Sequence, residues 1–324
     1  MTPPPPTGRV GLVVNPTAGR GRGTRVHSRV AGALAAAGLE PVDLSGADVE
    51  RAVANSRAGL SRGLDALVVV GGDGMVHLGV GALAGTAVPL GVVAVGSGND
   101  VARDLGLPVG DVEASVAVVC DALTRTAGAG VRRLDAVAVS RPGGPTAHWY
   151  MASLSCGLDA AVNERANAMS WPSGGGRYVR ALLAELGSFR PYGYKVTLDG
   201  DVWQGEGTLV VVANTPSFGG GMRIAPSAEP DDGLLEVVLA RGLSRAGLLR
   251  LFPRIYPGTH VRHPAVEVRR ARSVVIEPLE GAGATPPVAF ADGERLEALP
   301  LQCDVHPGAV GVLVRREAGG TDRT

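Results

Sequence analysis

Uninterrupted Val and Leu runs constrain this chain more than any other feature. Between Arg9 and Val95 they occur as "RVGLVVN", "LEPVDL", "DALVVVG" and "VPLGVVAVG". A strand with one wet face alternates apolar and polar residues, whereas these runs require burial on both faces, as in a parallel sheet covered by helices. The intervening segments supply those helices. In "TRVHSRVAGALAAAG", Val26, Val30 and Leu34 fall on one helical face and Gly38 marks the stop. "GADVERAVANSRAG" and "GDVEASVAVVCDALTRT" have the same pattern. The expected fold class is α/β: an N-terminal parallel-sheet domain over 9–130 whose strands feed ligand loops at their carboxyl ends.

The periodicity changes near Val131. "RRLDAVAVS", "AHWYMASLS", "YKVTLDG", "GEGTLVVVAN", "GLLEVVLA", "AVEVRRARSVVIE" and "PPVAFADGERLE" read as strands separated by Gly, Pro and Asp turns. They define a β-rich, sandwich-like domain over 131–297. "AVGVLVRR", in the segment 298–315, is a last strand able to join either domain. Residues 1–8, with "TPPPP", read as a disordered leader, and 316–324 as a polar, disordered tail.

Composition excludes several classes. The 324 residues are 45% hydrophobic and 19% charged with a net charge of zero, so no global field draws the chain to nucleic acid. No apolar run approaches a bilayer-spanning length, which limits membrane contact to a peripheral one and points to the cytoplasm. The three cysteines, Cys120, Cys156 and Cys303, are far apart and suggest neither a disulfide framework nor a zinc site. His260 and His263 are close in sequence but lack a third ligand nearby.

Three strand ends carry glycine loops: "NPTAGRGRG", "GGDGMVH" and "GSGND". One such loop is a commonplace turn. Three on successive strands of one sheet form a cluster of backbone N–H groups and helix N-termini suited to phosphate. Neither the lysine-containing phosphate loop nor the G-x-G-x-x-G dinucleotide fingerprint is present; Lys195, the sole lysine, lies elsewhere. Asp73 and Asp100 stand among these loops. A bare carboxylate repels phosphate, and a bridging Mg2+ removes the conflict. The plainer readings are an Asp-stabilised turn and a helix cap.

Taken in order, "NPTAG", "GGDGMVHLGV", "GSGNDVARDLGLP", "SCGLDAAV", "GGGMRIAPSAEPDDGLLEVVL" and "ADGE" resemble the diacylglycerol kinase catalytic superfamily, which includes bacterial diacylglycerol kinases and sphingosine and ceramide kinases. The resemblance implies nucleotide binding in an interdomain cleft and phosphorylation by ATP of a lipid alcohol at the membrane surface, and leaves room for a homodimer. It implies nucleotide contacts from Asn15, Pro16, Thr17, Ala18 and Gly19, from Gly71, Gly72, Asp73, Gly74, Met75, Val76 and His77, and from Ser97 and Asn99. Glu294 matches the proposed general base, with Asp292 its acidic neighbour and Asp73 the third catalytic acid. Asp232 matches the side-chain ligand of a structural Mg2+, completed by carbonyls near Glu229 and Leu234, with Asp100 and Asp135 acting through water. From residue patterns alone, "ADGE" and "PDDG" are turns.

Two positions depart from the family pattern. Met75 stands for a threonine whose hydroxyl donates to phosphate, and Leu78 for a glutamate. Three functions therefore stay open: a lipid kinase, a kinase of a small soluble substrate such as NAD, and a nucleotide- or lipid-binding protein with little or no turnover.

Overall fold

A computed structural model describes residues 8–15, 23–124, 129–169, 171 and 175–315. Pro16, Thr17, Ala18 and Gly19 of the first glycine loop lie outside the described residues, as do most of the expected leader and the tail. The chain forms two compact units, Met1–Leu134 with Gly308–Thr324, and Asp135–Pro307.

In the first unit the strands β1 (Arg9–Val14), β2 (Glu40–Asp43), β3 (Ala66–Gly71) and β4 (Leu90–Ala94) pair in the order β2-β1-β3-β4, all parallel. Helices α1 (Gly23–Ala36), α2 (Val49–Ser61), α3 (Asp73–Leu83), α4 (Asp100–Asp104) and α5 (Val112–Leu123) follow or separate them. Alternate strand residues Val10, Leu12, Val68 and Val70 share a core with Val30 and Leu34 of α1 and Val116 and Val119 of α5. On the opposite face Gly79 of α3 sits so close to Leu90 and Val69 that a Cβ would lie 2.6 Å from the Leu90 side chain. Both faces of β1, β3 and β4 are covered, which is why their runs do not alternate, whereas the edge strand β2 stays partly exposed.

In the second unit β7 (Ser153–Gly157), β8 (Tyr192–Leu198), β9 (Asp201–Ala213), β10 (Leu235–Arg241), β11 (Val266–Ala271) and β12 (Ser273–Pro278) are joined by antiparallel pairings. Val210 and Val212 of β9 enter one core with Tyr150, Tyr194, Leu235 and Ile276. Val211 and Ala213 enter another with Ile224, Val238 and Leu251. β9 is thus buried on both sides although its sheet is antiparallel. Helices α6 (Leu158–Ala168), α7 (Gly175–Ser188) and α8 (Arg245–Leu251) complete the unit.

Two strand expectations change. "AHWYMASLS" is two strands, β6 (Thr146–Tyr150) and β7, interrupted at Met151 and Ala152, whose amides are drawn off to a side chain. The final strand, β15 (Leu301–Arg315), serves both units: Leu301–Asp304 pair with β12, and Val312 pairs with Leu90 of β4.

Candidate active site

The glycine loops of the first unit meet backbone to backbone. A Cβ at Gly96 would lie 2.4 Å from the Gly72 Cα, and one at Gly98 2.5 Å from the Asp73 carboxylate. Any side chain there would push the two loops apart. The contacts are completed by Val95 and Gly96 amides donating to the Gly71 carbonyl at 2.9 and 3.1 Å. Asn99, in the left-handed region at φ 61°, closes its own turn by donating to the Gly96 carbonyl and accepting from the Gly96 amide. Asn15 ends β1 beside them, its amide donating to the Val70 carbonyl. The strand ends therefore bring together Asn15, Gly71–Gly74 and Gly96–Asp100.

Asp73 begins α3, and its Oδ1 accepts from the Val101 amide at 3.2 Å, joining the second loop to the third. The N-cap of α3, Gly72, makes no side-chain capping bond. This eleven-residue helix thus starts without a capping side chain, an arrangement suited to an anion. Gly74 and Ser97 are exposed and His77 is half-buried. Asp100 is only 3% exposed and its Oδ1 accepts from Arg103 at 2.7 Å.

Met75 and Val76 differ from the other loop residues. Their side chains are buried, and their amides donate to the Gly72 carbonyl at the start of the helix. The Met75 side chain packs on Gly71, where a Cβ would come within 2.4 Å of its Cγ. Leu78 is also core. A glutamate at that position would need a buried partner, so the two departures read as packing choices on the inner face of α3.

In the second unit Asp292 and Gly293 form a two-residue hairpin turn, at φ 50° and 86°, between β13 (Phe290–Ala291) and β14 (Glu294–Arg295). The Asp292 carboxylate accepts from three backbone amides, those of Met151 (3.0 Å), Ala152 (2.9 Å) and Ser153 (3.1 Å). These bonds interrupt the strand between β6 and β7, and they make Asp292 a positioning residue. Glu294 opens β14 and is exposed. Behind this hairpin Asn214, fully buried, donates to the carbonyls of Asp135 (3.1 Å) and Met151 (2.8 Å). Sequence reasoning passed over Asn214; its only mark is a polar residue closing the apolar strand "VVVAN".

The 229–234 turn is braced by acids. Asp135 accepts from the Gly233 amide at 2.7 Å, while its own amide donates to the Pro230 carbonyl. Asp232 accepts from the Leu234 amide at 2.9 Å and is ion-paired with Arg270. Glu229 is exposed. Among the described residues no group of three or more His, Cys, Asp or Glu converges as a metal cage. In the arrangement observed Arg270 lies on Asp232 and the Gly233 amide on Asp135, so part of this oxygen donor set is already engaged. Asp73, with oxygen ligands available from waters and phosphate, suits Mg2+ better.

The same unit holds an apolar pocket. Its walls come from α6, α7, α8 and strands β9 and β10, with Leu182, Leu209, Met222, Val238, Leu251 and Ile255 typical of the lining. Thr208, His260 and Asp159 are the polar residues of its lining besides Tyr178. His260 is buried, and that burial lowers its pKa, so the neutral ring donates to the Ile224 carbonyl.

Residues 9–131 match the diacylglycerol kinase catalytic domain, and 152–314 match the YegS C-terminal NAD kinase beta sandwich-like domain. A diacylglycerol kinase of Mycobacterium tuberculosis is 37% identical over 308 residues, covering 94% of this chain and 95% of the relative. The crystal structure of a diacylglycerol kinase from Bacillus anthracis superimposes with a TM-score of 0.67 at 19% identity, covering 94% and 96% of the two chains. Yeast NADH kinase complexed with NADH shares the fold at a TM-score of 0.53 and 11% identity, covering 98% of this chain and 89% of that one.

Proposed function

The chain belongs to the diacylglycerol kinase catalytic superfamily, and on that premise we propose that it is an ATP-dependent lipid kinase acting on the hydroxyl of diacylglycerol or a related lipid alcohol. The observation that carries this reading is the apolar pocket. A space lined almost wholly by Leu, Val, Ile, Met and Phe suits hydrocarbon chains and offers a dinucleotide few hydrogen-bonding groups.

In this reading the loops Asn15–Gly19, Gly71–His77 and Ser97–Asn99 hold the nucleotide, chiefly through backbone amides and the start of α3. Asp73 would hold the Mg2+ that accompanies ATP, and that ion would supply positive charge to offset the charge on the phosphoryl group. Glu294 accepts the proton of the lipid hydroxyl as that oxygen attacks the γ-phosphorus of ATP, and the bond from that phosphorus to ADP breaks so that ADP leaves. It is free to do so because it is exposed on a hairpin fixed by the three amides on Asp292.

Access of the lipid also has a reading in these residues. Val179 and Leu183 of α7, Leu249 of α8 and Tyr256 are at least half exposed. Their neighbours Tyr178, Leu182 and Leu248 line the pocket. No helix among the described residues is long and apolar enough to cross a membrane. We read these outer faces as resting on a membrane surface while the inner faces receive the lipid.

The test is transfer of γ-labelled phosphate from ATP to diacylglycerol, ceramide or sphingosine in mixed micelles, with NAD and glycerol as soluble controls. Label in a lipid supports the reading. Label in a soluble acceptor alone, or in none, refutes it.

A further inference from the structure

The apolar pocket is lined in part by a buried acid. Asp159 lies in the first turn of α6 and lines the pocket at 7% exposure. Neither carboxyl oxygen makes a hydrogen bond of normal length and angle. Burial raises its pKa, outweighing the opposing influence of Ser155 and of the amides of Asp159 and Ala160. Among the described residues no lysine or arginine lines the pocket. Burial without a counter-ion disfavours the carboxylate relative to the neutral acid, which donates one hydrogen bond through its O–H and accepts others.

Retaining such a group in a hydrocarbon-lined space is costly unless a ligand completes it. We propose that Asp159 is a specificity-determining residue that donates to an acyl carbonyl oxygen, so that the pocket selects uncharged acyl lipids over ether-linked lipids of the same length. This rests on the lipid kinase reading and narrows its substrate class. The acyl carbonyl is the fitting partner because it accepts strongly and sits between the polar head and the chains. An ether oxygen accepts weakly. A cationic amine would instead call for the ionised carboxylate.

The experiment compares diacylglycerol with the matching dialkylglycerol for the wild type, Asp159→Asn and Asp159→Leu. It measures affinity in detergent micelles by competition with a fluorescent diacylglycerol, alongside kcat and KM. The wild type should prefer the ester lipid by about tenfold, as expected for one hydrogen bond that is otherwise left unmade. The preference should persist in Asp159→Asn, whose amide still donates, and vanish in Asp159→Leu through KM rather than kcat. Because the leucine removes an unpaired buried acid, its Tm should equal or exceed that of the wild type.

Equal affinity of the wild type for both lipids overturns the inference, as does an ester preference that survives in Asp159→Leu. A wild-type preference for sphingosine that Asp159→Asn abolishes also overturns it, in favour of an ion pair. An ester preference in binding without phosphoryl transfer to any lipid supports the inference and counts against the kinase reading.

Discussion

Replacing Asp292 separates a positioning residue from a catalytic one. Its Oδ1 accepts from Ala152 and Ser153, and its Oδ2 from Met151, at 2.9 to 3.1 Å. In Asp292→Asn the amide can keep one oxygen on Ala152 and Ser153, while its NH2 group then faces the Met151 N–H. One charge-assisted bond is lost and a donor is left facing a donor, for a cost of about 2 kcal/mol, while asparagine still tolerates the left-handed backbone at φ 50°. Asp292→Ala loses all three bonds and strains that backbone, for about 4 kcal/mol or more. For a unit of this size the asparagine should lower Tm by roughly 4–8 °C, and alanine by clearly more. Thermal unfolding with kcat measured well below Tm is the assay. An unchanged Tm combined with a large loss of kcat would refute the positioning role and return Asp292 to the chemistry.

The other substitutions probe the remaining parts of the account. Glu294→Gln should lower kcat by roughly a hundredfold or more with ATP affinity and Tm unchanged, since the side chain is exposed; normal turnover would remove it from the mechanism. Asp73→Asn should nearly abolish turnover while the fold persists, because asparagine can still accept from the Val101 amide; wild-type rates at saturating Mg-ATP would end its metal role. Met75→Thr should lower stability by about 1–3 kcal/mol through lost packing on Gly71, and a measured gain in stability would show that the methionine is not a packing choice. Leu183→Asp with Val179→Asp should reduce activity on vesicle-borne lipid several-fold and spare activity on detergent-dispersed short-chain lipid; equal losses in both would refute the membrane-facing role.

Much of the architecture was legible because it follows from local rules. The uninterrupted Val runs implied burial on both faces, and β1, β3 and β4 have it. The Asp292–Gly293 pair implied a two-residue hairpin, and both residues have the positive φ that such a turn requires. The features that stayed hidden depend on partners distant in sequence. Gly96 reads as a phosphate-binding glycine, yet the backbone of Gly72 alone would forbid a side chain there. The interruption of "AHWYMASLS" is caused by Asp292, about 140 residues away. Asp159 looks like an ordinary first-turn acid on α6, and only the walls of the pocket show that it lacks a partner. The Arg270 beside Asp232 is likewise invisible in the motif that marks Asp232.

The central claim is tested most directly by a competition in one vessel. The protein is given γ-labelled ATP and Mg2+ with diacylglycerol micelles and NAD at equal concentrations, and the organic and aqueous phases are separated and counted. The account predicts label in the organic phase as a lipid phosphomonoester, abolished by Asp73→Asn. Label appearing as NADP in the aqueous phase, with the lipid unlabelled, would contradict it.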